Sequence, residues 1–287
     1  MTVYERVVEE RDMGSDATPS TPVPPSAARQ TRRAVPALVS QVAAVAAALA
    51  VWSWLAATDT VSDTALAGSV ESFARLAELL GTPEPWNAIG QTLTAWSISL
   101  AVALAVAIPL GLLLGRSTLA YRSSRFTIDF LRTIPALGLI PLAALVYGAS
   151  REAVLIIVVP ACIWPLLLQT IYGVRDTDPV AVETARSYGL GRWSILGRVV
   201  LPSALPYIAT GVRLSAIIAM LLAISVELLV LVPGVGSLIA VAQRNGETVD
   251  VYAFTLLAGF LGLAVVLLFS RVERRVIAWH PSVRGHR

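Results

Sequence analysis

The sequence holds no lysine; all 22 of its cationic side chains are arginine. A P-loop needs its lysine on the nucleotide phosphates, and a Schiff-base enzyme needs a lysine amine. This chain therefore binds no ATP through a Walker A motif and forms no lysine imine. Cysteine is nearly as scarce. The single thiol, Cys162, lies in an apolar run, which excludes a disulfide within the chain and a thiolate metal cluster. The two histidines, His280 and His286, sit beside arginines near the C-terminus and read as solvated tail residues rather than ligands. A membrane enzyme would need a His, Asp or Cys cluster that the sequence does not offer. Charge of either sign is also sparse, at 14% of residues against 56% hydrophobic. Soluble proteins carry about 25% charged residues, so a polytopic membrane protein is expected. The formal net charge of +3 does not point to nucleic acid, because the arginines stand at the ends of apolar runs.

What is present is a succession of such runs. Residues 1–33 are acidic and then rich in Ser, Thr, Pro and Ala, a composition that cannot bury enough apolar surface to fold. A disordered cytoplasmic tail is expected there. Ala34 to Thr58 is uncharged and exceeds the roughly 20 residues a span needs, which makes it the first expected span rather than a cleaved signal. Asp59 to Glu84 is acidic and reads as an outer loop. Residues 85–115 hold no charge, giving a second span with an interfacial lead-in at Trp86. Phe130 to Gly148, Ala153 to Val174, Leu205 to Val230 and Val251 to Ser270 complete a set of six.

Three of these spans carry residues that invite a functional reading. Pro135 and Pro141 lie in the third, and Pro160, Trp164 and Pro165 at the middle of the fourth. A proline inside a span frees a carbonyl and bends the helix. Two readings stand side by side: a kinked, packed helix, or a helix that lines a route or gate. Gln169 and Thr170 are equally open between solute and a neighbouring helix. Arg213, near the inner end of the fifth span, is expected to snorkel to the headgroups. Glu227, near its outer end, is costly at membrane depth, about 2.5 to 3.5 kcal/mol at a helix centre. It lies solvated at the interface, binds a cationic group, or holds a structural or gating contact, of which the last is favoured.

Leu229 to Gln243 is apolar enough for another span, but Pro233, Gly234 and Gly236 argue for a turn followed by a short helix toward the outer face. The positive-inside rule agrees. With six spans, 19 arginines fall inside and 3 outside, whereas a seventh would put Arg271, Arg274 and Arg275 outside.

A second charge-bearing insert between two apolar runs is Glu183 to Pro202, ETARSYGLGRWSILGRVVLP. Asp178 suits an N-cap, Pro179 the first helical position, and Gly189 or Gly191 a left-handed stop, bracketing a helix of roughly ten residues. Val182, Ala185 and Tyr188 or Gly189 recur at helical spacing, with Glu183 and Arg186 on the flank. Such a helix fits a groove on another protein or the lipid headgroups.

This insert resembles the cytoplasmic loop of ABC importer permeases, whose motif reads E-A-A, three residues, G, nine residues, I, one residue, L-P. Glu183, Ala185, Gly189, Leu201 and Pro202 fall at those spacings, with Thr184 and Val199 as small or apolar departures. A second likeness lies at Phe130–Pro135 and Ile140–Pro141, where an F-L-R-x-I-P run precedes an I-P pair, as in the nitrate, sulfonate and taurine branch. The resemblance covers residues 86–280. It implies an all-α membrane protein of six transmembrane helices, the type I ABC importer permease fold with a cytoplasmic coupling helix. The expected divisions are a tail at 1–33, first helix and outer loop at 34–85, a core at 86–275 with the coupling loop at 175–204, and a C-terminal cytoplasmic tail at 276–287.

The function implied is a transmembrane permease subunit, not an enzyme, that passes a small solute delivered by an extracytoplasmic solute-binding protein. Sulfonate, nitrate, taurine-like or related small organic compounds are the implied class. The implied partners are a second permease copy or homologue, two ATP-binding cassette ATPase subunits that hold ATP and Mg, and membrane lipid, in a bacterial cytoplasmic membrane. No cofactor is expected on this chain. Glu183, Ala185, Arg186, Gly189, Leu201 and Pro202 would couple to the ATPase; Pro135, Pro141, Pro160, Trp164, Pro165 and Glu227 are candidates for the pathway or gate. The competing readings are an ion-coupled secondary transporter, for which only Glu227 comes near mid-membrane, and one half of a heterodimeric permease.

Overall fold

The computed structural model describes residues 27–58 and 66–276. Residues 1–26, 59–65 and 277–287, which hold most of the expected tails and the start of the outer loop, lie outside the described residues. Contacts divide the chain into two units, Met1–Val51 and Trp52–Arg287. The described part of the first is the run up to Val51 of helix α1 (Ala27–Ala57), where Val39, Val42 and Val45 are exposed. The helix opens within the stretch read from composition as tail. Its described apolar part, Val42–Ala57, is shorter than the windows that mark the spans below.

The second unit begins with the end of α1 and continues through α2 (Ser69–Leu79), α3 (Pro83–Arg116), α4 (Thr118–Leu131), a 3-10 turn (Ala136–Leu139) and α5 (Ile140–Tyr147). It goes on through α6 (Arg151–Arg175), α7 (Pro179–Ser187), α8 (Arg192–Ile195), a π-type turn (Leu196–Val200), α9 (Leu201–Val230), α10 (Val235–Asn245) and α11 (Thr248–Val276). Among the described residues there is no strand. Four helical runs are long and apolar enough to cross a membrane: Pro83–Arg116, Arg151–Arg175, Arg192–Asn245 and Thr248–Arg275. The count rises to five if the bent pair of α4 with Ala136–Tyr147 is one span. The sequence expectation was six.

That bent pair corrects the third expected span. Phe130 to Gly148 is not one kinked helix: the two arms meet at 63°, and the inner-loop arginines Arg122 and Arg125 ride on α4 instead of a loop. Proline explains the break. Pro135 stands just before the 3-10 turn and Pro141 in the first turn of α5, the places where a missing N–H costs no helical bond. Pro160 and Pro165 behave differently, lying inside an unbroken α6. The fifth span also differs from expectation. Helix starts at Arg192 and passes through Leu201 and Pro202 without a stop, so Pro202 occupies the first turn of α9. The expected turn at Pro233–Gly236 is present, with Leu231 left-handed at the end of α9 and α10 following.

Helix α6 is the centre of the unit, packed between α3 and α9. Small residues let it approach both. Gly111 and Gly115 face α6 so closely that an added Cβ would lie 2.6 Å from Thr170 Cβ and 2.7 Å from Val174 Cβ. Without a hydrophobic drive between helices in lipid, such contact supplies the packing energy. Polar groups then fix register: Ser215 donates to the Cys162 carbonyl at 2.7 Å, and the Trp96 indole donates to the Ala216 carbonyl at 2.9 Å. Thr170 is buried, and its hydroxyl donates to the Leu166 carbonyl one turn back in α6, not to a neighbouring helix. Gly111→Val should force α3 off α6 and cost about 1 to 3 kcal/mol, visible as a lower melting temperature in detergent; an unchanged melting temperature would refute the close contact.

Candidate functional site

The insert singled out by sequence forms a short capped helix beyond the end of α6. Asp178 accepts the Val180 N–H at 2.8 Å and Pro179 opens α7, as the pattern predicts. At the far end Gly189 takes φ +77°, its N–H reaching the Arg186 carbonyl at 2.9 Å while the Leu190 N–H reaches the Ala185 carbonyl at 3.1 Å. This pair of bonds is the Schellman closure, which requires a left-handed residue at Gly189. Both ends of α7 are thus set by local chemistry.

One side of α7 is pinned. Ala185 is buried in a cluster with Val174, Ile195, Val200 and Ala204, with Val182 and Leu190 packed against it. Tyr188 is not on this face, as the spacing allowed, but 81% exposed, because the helix ends there and Leu190 fills the apolar place. Glu183, Arg186 and Gly189 are exposed, while Leu201 and Pro202 are half-buried. After the break at 188–191, α8, the π-type turn and α9 form one continuous helical run. An extra residue per turn in the π-type segment re-aims the helix where the loop joins the span.

Pro135, Pro141 and Pro160 are exposed, and Trp164 and Pro165 are half-buried. Glu227 is completely buried, which corrects the solvated-interface reading. Its carboxylate caps a helix. Oε2 accepts the Gly236 N–H at 3.1 Å and the Thr92 hydroxyl at 2.8 Å, and the Thr92 oxygen in turn accepts the Val235 N–H at 2.9 Å. Ser237 accepts the Gly234 N–H at 3.1 Å. Two of the N–H groups that open α10 are therefore satisfied from other helices, by Glu227 of α9 and Thr92 of α3. Glu227 Oε1 accepts no bond. Glycine is required here by contact: a Cβ at Gly234 would lie 2.2 Å from Glu227 Cδ, and one at Gly236 2.2 Å from the Ile224 carbonyl oxygen.

Two ion pairs, not foreseen from sequence, tie the last helix to its neighbours. Arg75 on α2 meets Asp250 in the first turn of α11 at 2.6 Å and Glu78 at 3.1 Å. Hydrogen bonds to these carboxylates, that of Asp250 foremost, raise its guanidinium above the ordinary arginine value. Arg213 does not snorkel freely; it pairs with Glu273 on α11 at 3.0 Å, while Thr210 donates to the other carboxylate oxygen at 3.0 Å. Partners 63 residues apart, as for Thr210 and Glu273, leave no local sequence signal. Among the described residues, no group of three His, Cys, Asp or Glu could hold a metal.

The chain is similar to several known proteins. A permease of Bacillus subtilis (strain 168) named for the transport of aliphatic sulfonates, SsuC, is 26% identical over 83% of this chain and 86% of its own. The taurine transport system permease protein TauC of Escherichia coli (strain K12) is 24% identical over 85% of this chain and 90% of its own. In three dimensions the chain is similar to a chain of the MetNI methionine ABC transporter in an inward-facing conformation, with TM-score 0.58 and 18% identity over 68% of this chain and 98% of that one. The family model for the binding-protein-dependent transport system inner membrane component matches residues 107–278, and the chain belongs to that family as a multi-pass permease subunit of an ABC importer, a transport subunit and not an enzyme.

Proposed function

We propose that α7 is the coupling helix through which a partner ATPase drives this permease, and that Glu183, Ala185, Arg186, Gly189, Leu201 and Pro202 carry that role. The observation that supports it most is the division of α7 into a pinned side and a free side. Ala185 anchors the helix to the span ends, while Glu183, Arg186 and Gly189 face out with no side chain at Gly189 to block a partner's approach. Charge at the rim then selects the partner, and the apolar root transmits its movement into α9. ABC importers in general work with an ATPase and a binding protein. In the reading proposed here the assembly holds two permease chains, alike or different, and two ATPases that bind ATP and Mg. The coupling loop and both termini face the cytoplasm, as the arginine distribution supports. The solute is a small sulfonate, nitrate or taurine-like compound; relatives named for sulfonates and taurine support that class.

Glu227 has a structural or gating part in this reading. It holds α10 to α3 and α9, so movement of α9 carries α10 with it.

The test uses the buried state of Cys162, which leaves an introduced thiol as the accessible one. Arg186→Cys in native membranes, treated with a bifunctional maleimide, is expected to yield an adduct with an ATP-binding protein. Val70→Cys on α2, before the opposite end of α3, is expected to yield none. An ATPase adduct from position 70 and none from position 186 would overturn the assignment. The mass of the intact complex reads the stoichiometry.

A further inference from the structure

Between α7 and the ends of two spans lies a cavity of about 380 Å³. Arg116, the last residue of α3, Arg175, the last residue of α6, and Arg186 on α7 line it, against one carboxylate, Glu183. Val174 and Val200 contribute an apolar floor. Arginine at a helix C-terminus complements the helix dipole, and that alone would account for Arg116 or Arg175 singly. It does not account for the convergence of two span ends and a third arginine, from another helix, on one hollow. None of the three makes an ion pair among the described residues; Arg175 lies over the Tyr121 ring, 4.5 Å from its centroid. The site has an uncompensated positive charge and a place to put an anion.

The geometry points to a binding site for the phosphate of an anionic lipid headgroup. Phosphate is the anion that planar guanidinium forks match, and several such groups around one hollow raise both affinity and orientation. Lipid is favoured over a soluble anion by position. Arg116 and Arg175 end helices long enough to cross the bilayer, so the hollow stands at headgroup level, and its apolar floor accepts the glycerol end of a lipid. A bound headgroup would brace α7 against the spans from below. The inference rests on the proposed reading only in taking this end of the spans as the α7 face; lipid binding is measured without ATPase or solute, so each fails separately.

The full chain, delipidated in mild detergent, is offered phosphatidylglycerol, phosphatidylcholine of the same chain length, or inorganic phosphate, and retention is read by native mass spectrometry. Phosphatidylglycerol is expected to be retained in preference. Arg116→Gln and Arg175→Gln should each weaken it about five-fold, the effect of one basic residue near an anionic surface. Thr118→Asp keeps all three arginines, adds a carboxylate at the rim, and suits the first turn of α4, so it should fold and still lose the preference. Equal retention of the two lipids, or a preference that all these variants keep, overturns the site. Arginine-dependent retention of inorganic phosphate without lipid preference overturns the lipid as its occupant.

Discussion

Gly189→Trp is expected to abolish coupled uptake while leaving the chain inserted in the membrane. Two effects add. The residue sits at φ +77°, where an L side chain costs about 1 to 2 kcal/mol, enough to lower the population of the closed helix end by about 5- to 30-fold. An added Cβ meets nothing of this chain within 4 Å. Bulk at this position is therefore harmless to the isolated permease and harmful only where another protein comes close. Gly189→Asn separates the two, because asparagine tolerates the left-handed region and adds little volume; it should retain most uptake and ATPase association. If Gly189→Trp transports as well as the unsubstituted chain in vesicles energised with ATP, the coupling-helix assignment is wrong.

Glu227→Ala should be the most destabilising single truncation in the second unit. It leaves the Gly236 N–H and the Thr92 hydroxyl without their acceptor and opens a hole at a side chain with no exposed surface. Each buried unsatisfied donor costs about 1 to 3 kcal/mol, and the cavity adds to that. A melting temperature many degrees lower, with poor recovery of the assembled transporter, is the expected result. Glu227→Gln keeps an oxygen for both donors and should assemble normally. Altered uptake by the Gln variant with intact assembly would give the carboxylate charge a gating role; unchanged uptake would leave helix capping as its whole contribution. Wild-type stability in the Ala variant would refute the capping role.

These two positions were differently visible in the sequence. Gly189 is set by a local rule: a helix that begins at Asp178–Pro179 must end, and glycine is the residue that ends it in the left-handed form. The same locality made α7, the turn at Pro233–Gly236 and the long apolar helices α3, α6 and α11 legible, with bounds that shifted by a few residues. Tyr188 was ambiguous because spacing gives a face but not the last turn's direction. The third expected span misled for a related reason. Apolar content over Phe130–Gly148 satisfied a span, whereas two prolines decided that the backbone would break into two arms.

What the sequence by itself determined is the class of molecule: apolar runs and arginine distribution make a membrane protein, absent lysine removes nucleotide binding through a Walker A motif, and the spacing from Glu183 to Pro202 marks the loop. The tertiary structure alone decided the role of the charged groups. Glu227 could be located but not interpreted, because its partner Thr92 stands 135 residues away and is an ordinary polar residue in an apolar helix. The same is true of Arg213 with Glu273, of Arg75 with Asp250, and of the three arginines gathered beneath α7. Helix periodicity and capping act over a few residues and are written in order along the chain. The partner of a buried charge is chosen by which helices pack together, and that is settled only when the chain has folded.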